Sequence, residues 1–471
     1  MRQTRRYLAI LANTEMLSTF YQTSKECLKI FPGDFDEAYQ ADSKLLQKGK
    51  ASSEAVNVVY RTSVCASGPV LTAYIYWVLT RAYRQGIQRL YFLARDGKVM
   101  YEIARILNRT LHFPIEFKYL YVSRIALRRA QYCLNPEEVL DYICRDGLRI
   151  SLKVAMTRSG LSEKICCHIL TSLKYPRDTW DAPLSRTALI DLKAKLAGCR
   201  MFHSAMSEDS HSQLSLICRY LAQEGIGDGR SFAFVDSGWT GSIQRSLAQI
   251  LRHGFAGLSD ISGFYFGIQS RPETDVGQYQ CFYFSWNRKD RKRFIHFNNN
   301  LFECWCMADH GMTVGYREES DLVFPVQKPY VPLWYEKQQL DFIRHYACRF
   351  AAFLGEKRPD ADILGDAVAP LLRTAMQRPG QEEALIYGSI PFCDDSTEAY
   401  LSPLAFPLSI WDVFCNLTAV RIFTKCFLHS GKRFFRESCW KEGSCTLLPQ
   451  PFSTLMLLDC HLACVIKRLR L

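Results

Sequence analysis

The chain contains no Cys-x-x-Cys pair, although it carries 19 cysteines. Cys166 and Cys167 are adjacent and Cys304 and Cys306 are two apart, spacings that argue against a zinc or disulfide framework. Most are expected to be reduced core residues of a cytoplasmic protein. Long apolar runs are scarce as well. The most hydrophobic helix, Val70–Leu79, is too short and too aromatic to span a bilayer and is expected to pack against a sheet. The start, Met1-Arg-Gln-Thr-Arg-Arg-Tyr-Leu-Ala-Ile-Leu-Ala, is basic and then briefly apolar. Its apolar stretch breaks at Asn13, too short for a secretion signal and without a clean cleavage site. There is no internal repeat, low-complexity tract or long flexible linker. Polar stretches at 355–366 and 378–381 are the best candidate connections. No nucleic-acid-binding motif accompanies the positive charge, so nucleic acid is not expected as a partner.

What is present fits a globular protein with a sizeable core. The 471 residues are 48% hydrophobic and 23% charged, enough for about two or three domains. The formal charge of +12 favours anions such as phosphates, an anionic membrane face or acidic glycans. The residue pattern divides the chain into a polar, weakly patterned lead-in at 1–60, with Pro32-Gly33 a breaker, an α/β core at 61–325, and a helical region at 326–471. A helical insertion at 135–228 interrupts the core, opening at Asn135-Pro136 with a cap and a proline at the first helical position. The expected fold is α/β, a mostly parallel sheet flanked by helices. The apolar C-terminal segment Thr454–Ile466, followed by Lys467-Arg-Leu-Arg470, suits either a membrane surface or a packing helix.

Two strand–turn–helix units carry the chemistry. In the first, the apolar run Ser231-Phe-Ala-Phe-Val235 is followed by Asp236-Ser-Gly-Trp-Thr-Gly-Ser242 and then by a helically spaced segment to Leu251. Such a turn aims backbone N–H groups and a helix amino end at a phosphate. Gly238 and Gly241 permit positive φ and close approach, Thr240 and Ser242 add hydroxyls, and Asp236 suits Mg²⁺ or a ribose hydroxyl. In the second, strand Gln88–Ala94 leads through Arg95-Asp96-Gly97 into the amphipathic helix 98–107. A third strand, Phe117–Val122, ends in Ser123-Arg124. Strands are also expected at 262–268 and 280–286. Arg95, Asp96, Ser123, Arg124 and Asp236 would then converge at the carboxyl ends of parallel strands, where open α/β sheets bind ligands.

Gly68-Pro69, Tyr91-Phe-Leu-Ala-Arg-Asp-Gly97, Tyr121-Val-Ser-Arg124 and Val235–Ser242 together resemble bacterial polysaccharide-biosynthesis proteins often labelled haloacid-dehalogenase (HAD) superfamily hydrolases. The resemblance covers roughly residues 60–320. The HAD nucleophile motif, an apolar strand followed by Asp-x-Asp-x-Thr, is missing: Asp34-Phe-Asp36 lacks the threonine, and Asp360-Ala-Asp362 sits in a polar linker. The segment is similar in layout to a type I phosphoribosyltransferase. That likeness assigns Arg95-Asp96-Gly97 to a pyrophosphate loop and Asp236, Ser237, Gly238, Trp239, Thr240, Gly241 and Ser242 to the loop holding a ribose 5-phosphate.

The resemblance implies transfer of phosphoribosyl from phosphoribosyl pyrophosphate (PRPP) to a glycan hydroxyl, with Mg²⁺ on the pyrophosphate and Asp236 as a metal ligand. The acceptor would be a lipid-linked glycan at the inner face of the membrane, and a separate HAD phosphatase would remove the 5-phosphate. Glu303, in Leu301-Phe-Glu-Cys-Trp-Cys-Met-Ala-Asp-His310, is the candidate base, with Asp309 and His310 as alternatives. The basic run Arg288–Arg293 suits a solvated face or a glycan–lipid phosphate. Two other classes stay open: a HAD-type phosphohydrolase, and a non-catalytic assembly subunit, because Ser237 stands where the usual loop has a second acid.

Overall fold

The computed structural model describes residues 1–30, 53–147, 150–258, 261–272, 276–331, 333–355, 358–393, 395, 397–398, 400–420 and 438–469. Pro32-Gly33 and Asp34-Phe-Asp36 lie outside these residues. The central element is a five-stranded, wholly parallel sheet. Its strands are β1 (Arg89–Leu93), β2 (Glu116–Leu120), β3 (Phe232–Trp239), β4 (Ser262–Ile268) and β5 (Gln278–Phe284), in the order β2-β1-β3-β4-β5.

Each strand is a short apolar run whose alternate residues enter opposite cores, as the two-residue period of a strand dictates. Leu90, Phe92, Ala233, Val235, Phe264 and Phe266 join the core on one face, with α1 (Gly68–Arg84), α2 (Gly97–Leu111) and the long helix Trp334–Leu354. Tyr91, Leu93 and Phe234 point the other way, towards α3 (Arg124–Gln131), α4 (Arg200–Gln223) and α5 (Ser242–Gly254). Among the described residues, the helical run Ser53–Arg84 is the one long and apolar enough to cross a membrane. Its apolar window is wholly buried, so α1 is the core helix that its aromatic content predicts, although the run is longer than the sequence suggested.

Three features depart from the sequence reading. The weakly patterned lead-in is helical over Arg2–Ala12 and Ser18–Ile30. Helices Arg2–Ala12 and Ser18–Ile30 bury Tyr7, Leu11, Phe20 and Cys27 in the main core, and the Tyr7 hydroxyl donates to Glu383 at 3.0 Å. That core also takes in residues from α1 through Trp440, so it crosses the boundary drawn at 325. An antiparallel hairpin, β6 (Thr313–Glu319) and β7 (Leu322–Gln327), packs beside α3 and α4. By contrast, the insertion is helical with its own core, and Asn135 caps the helix Pro136–Ile143 as its sequence predicts. Every described cysteine is a free thiol.

The amino-terminal edge of the sheet is held by a buried arginine. Arg89 bonds Glu116 and Asp228 at 2.8 Å each, the Gly225 carbonyl at 2.7 Å and the Tyr91 hydroxyl at 3.2 Å. Its acidic partners are about a third exposed, which reduces what each pair contributes. Arg89→Met is expected to destabilise the chain by about 1–2 kcal/mol, read by urea unfolding, because it removes the shared partner of Glu116, Asp228 and the Gly225 carbonyl, while the Tyr91 hydroxyl keeps its bond to the Glu224 carbonyl. It should leave ligand binding at the opposite edge unchanged.

Candidate functional site

In the order β2-β1-β3-β4-β5, the chain leaves β1 for β2 on one side, then returns to place β3 on the other. The connections after β1 and β3 therefore diverge, opening a crevice at the carboxyl ends of these two strands. β1 runs through Ala94, Arg95 and Asp96 into α2, which opens at Gly97. β2 runs through Ser123 into α3, which opens at Arg124. β3 runs through Thr240 and Gly241 into α5, which opens at Ser242. Three helix amino ends, each carrying partial positive charge, stand at one edge of the sheet. Ser123 caps α3, accepting from the Ala126 N–H at 3.1 Å and donating to the Thr313 carbonyl. The starts of α2 and α5 have no side-chain cap.

Two buried acids line the crevice, and the charge of Asp96 acts on Asp236. The Ser237 hydroxyl donates to Asp96, tying the end of β3 to the loop after β1. Asp236, next in the chain, is only 7% exposed. The Tyr74 hydroxyl lies 2.9 Å from the carbonyl oxygens of both Asp236 and Phe264, fixing the backbone here. Burial, and then the charge of Asp96, push the Asp236 carboxyl up to about 7, against backbone N–H bonds from Ser237 and Gly238 and the charge of Arg124. Burial likewise raises Asp96, opposed by Ser237, Arg95 and Arg124. A buried carboxyl that feels the charge of a second buried acid favours taking up a cation or a proton.

Arg124 is half-buried at the first turn of α3, and its charge acts on both acids. Arg95 reaches across to Glu398, with the guanidinium 2.6 Å from the carboxylate. Glu398 was not foreseen; it comes from a segment anchored by the buried Arg158–Asp395 pair and by Lys328, which donates to the Thr397 carbonyl at 2.6 Å. A bound phosphate would compete with Glu398 for Arg95. Glu398→Gln is therefore expected to tighten pyrophosphate binding by about threefold to tenfold in calorimetry. Weaker binding would mean that Glu398 orients Arg95 instead.

The loop assigned to phosphate is shorter than the sequence suggested. β3 continues through Trp239, so Asp236, Ser237 and Gly238 lie in the strand. Gly238 has φ +111°, and a Cβ there would lie 2.4 Å from the Gly267 carbonyl, so it serves strand pairing. The Trp239 ring is core: it stacks on Phe284 and meets Phe297 and Phe302. Its indole N–H donates to Glu303 at 2.7 Å, which makes Glu303 the partner that orients Trp239. Thr240 and Ser242 form the turn itself, their hydroxyls 3.3 Å apart. Gly241 has φ +68°, with the Tyr279 ring 2.7 Å from where a Cβ would sit. A side chain at Gly241 would strain the turn as well as block a phosphate.

A further group lines the β2 side. His310 Nδ1 lies 2.9 Å from the Gly311 carbonyl and 3.2 Å from Gln327 Nε2, and Nε2 lies 2.7 Å from the Tyr119 hydroxyl. Burial lowers the His310 pKa. Asp309 is exposed beside it, and its charge is felt by Tyr119, Tyr121 and Glu336. Tyr119 and Tyr121 alternate at the end of β2, a polar–aromatic ending that could have flagged them. Among the described residues no three metal-ligating side chains come together. Two carboxylates suit Mg²⁺ completed by water and substrate oxygens, and do not suit a structural zinc. A comparison with protein-family models gives no match, and neither does a comparison with curated proteins.

Proposed function

We propose that the chain is a transferase for a phosphosugar donor, with PRPP as the donor and a glycan hydroxyl as the acceptor. The observation that supports it best is the Asp96–Ser237–Asp236 cluster at the diverging connections, with Arg95, Arg124 and two uncapped helix ends around it. The set combines acids for a hard cation with cationic and N–H groups for phosphate oxygens. In the phosphoribosyltransferase-like reading, Thr240, Ser242 and the α5 amino end hold the 5-phosphate. Arg95 and the start of α2 hold the pyrophosphate, and Arg124 faces the charge between them.

Asp96 and Asp236 would hold Mg²⁺, which when bound offsets the charge of the pyrophosphate. Arg95 meets the negative charge that grows as the bond from C1 to the pyrophosphate oxygen breaks. The acceptor oxygen forms the new bond to C1 from the opposite face, giving a β-linked ribofuranose from an α-configured donor. Its proton passes to a carboxylate, and Asp309 is better placed than Glu303, which is engaged by Trp239. The product retains a 5-phosphate, so a phosphatase reaction must follow. A lipid-linked acceptor would bring the site to the inner face of the cell membrane.

The test is calorimetry with PRPP and Mg²⁺, followed by a pyrophosphate-release assay with glycan acceptors. Binding together with acceptor-dependent pyrophosphate release is the expected result. Release of inorganic phosphate from sugar phosphates would indicate a phosphohydrolase instead. Donor binding without release under any acceptor would indicate a non-catalytic subunit, and no binding would overturn the donor assignment.

A further inference from the structure

The β2 side of the crevice carries Tyr119, Tyr121 and His310, with Asp309 beside them. The three rings form one cluster, their centroids 5.0, 5.1 and 5.6 Å apart in pairs. The cluster adjoins the strand-end groups: the charges of Asp96 and Arg95 act on Tyr119, and that of Arg95 acts on His310. Its backbone is held in place. The Tyr121 N–H donates to the Tyr220 hydroxyl at 3.0 Å, and the Tyr121 carbonyl accepts from the Tyr316 hydroxyl at 2.8 Å. The turn bearing Asp309 and His310 is seated on the chain after β7. There the Lys328 N–H donates to the Met312 carbonyl at 2.9 Å, and a Cβ at Gly311 would lie 2.0 Å from the Lys328 carbonyl.

Two polar groups of the cluster make no hydrogen bond or ion pair with the described residues: the hydroxyl of half-buried Tyr121 and the carboxylate of exposed Asp309. The cations that act on His310 are engaged elsewhere, Arg95 with Glu398 at 2.6 Å and Lys98 with Glu102 at 3.6 Å. Burial lowers the His310 pKa, which leaves the ring uncharged at pH 8. The open charge on this side is therefore the Asp309 carboxylate, which repels an anion. It suits a ring with apolar C–H groups to lie against a tyrosine, and with hydroxyls that donate to a carboxylate and accept from a phenol. Those are the properties of an uncharged sugar. We propose that Tyr121 and Asp309 form the subsite for the terminal sugar of the acceptor, and that this subsite selects an uncharged ring over a uronic acid. Calling the sugar an acceptor rests on the transfer proposed above. Recognition of the ring does not, since it needs neither donor nor Mg²⁺.

The experiment is saturation-transfer NMR of the full chain at pH 8, without donor or metal. The probes are the methyl glycosides of glucose and galactose and of the matching uronic acids. Wild type should transfer saturation to a neutral glycoside and not to its uronide. Tyr121→Ala should weaken binding of the neutral glycoside by about threefold to tenfold. Asp309→Asn should admit the uronide, raising its affinity by about threefold or more. Asp309 is exposed, so this variant should keep the thermal midpoint, and a gained ligand is not what damage to the fold produces. A folded wild type that binds none of the glycosides, or binds neutral and acidic rings alike, would overturn the proposal. So would an Asp309→Asn chain that still rejects the uronide, or a folded Tyr121→Ala chain that binds as wild type does. The expected pattern in a chain that ignores PRPP would support the sugar subsite while removing the donor assignment.

Discussion

Replacing Arg95 by alanine is expected to lower turnover by about two orders of magnitude while weakening donor binding much less. The reason is where the charge develops. In the proposed reaction the ground-state pyrophosphate charge would be spread over many oxygens and shared with a cation, so one guanidinium among several contacts would contribute modestly. As the bond at C1 broke, charge would accumulate on the oxygen leaving it, which the proposal assigns to Arg95 after β1. The substitution should be mild for the fold. Arg95 is a third exposed, and among the described residues it pairs with Glu398, itself 29% exposed, so removing it costs little. Arg95→Lys should recover only part of the rate, because an ammonium cannot make the two parallel bonds of a guanidinium. Single-turnover and steady-state kinetics separate the effects. A raised KM at unchanged kcat would place Arg95 on the ground state alone, and unchanged kinetics would remove it from the site.

What the sequence made legible follows from how local each signal is. The strands of the sheet were found to within a few residues because parallel strands buried on both faces read as unbroken apolar runs. β4 is found at its observed bounds because Ser262–Ile268 is such a run. Arg95, Asp96, Arg124 and Asp236 fall at one edge because Arg95 and Asp96 lie between β1 and α2, Arg124 opens the helix after β2 and Asp236 lies in the last half of β3, and a parallel sheet brings all its carboxyl ends to one edge. The end of β3 was misjudged for a physical reason. Gly-Trp-Thr-Gly looks like a turn, yet the Trp239 ring has an aromatic cavity to fill, and that burial carries the strand past Gly238. Glu303 shows the same limit: its role depends on an indole 64 residues away in sequence. Glu398 was invisible because nothing near it in the chain signals a site, and its partner is three hundred residues earlier. The N-terminal helices were missed because their apolar residues stand among many polar ones, though Tyr7, Leu11 and Phe20 are all fully engaged in the core.

Asp236→Asn is expected to abolish metal-dependent donor binding and, at the same time, to make the chain more stable. In the folded protein, burial and the neighbouring Asp96 charge push the Asp236 carboxyl up to about 7 from an ordinary value near 3.8. A folded pKa above the unfolded one means that the folded state holds the proton more tightly. The contribution of this group is therefore fully present below about pH 4 and is lost as pH rises towards 7. The shift corresponds to about 4 kcal/mol of destabilisation at pH 8 relative to the protonated group. Asparagine keeps the shape and an oxygen for the Ser237 and Gly238 N–H groups but carries no charge to bury. The variant should therefore unfold at a higher temperature than wild type at pH 8, and the gap should close near pH 4, with chelator present throughout. Both effects have one origin: a carboxylate kept charged in a buried place beside a second acid costs stability, and that same unsatisfied charge is what a divalent cation would relieve. A variant that loses stability at pH 8 would show that the Asp236 charge is already satisfied within the fold. One that binds donor and Mg²⁺ as wild type does would move the cation away from this strand.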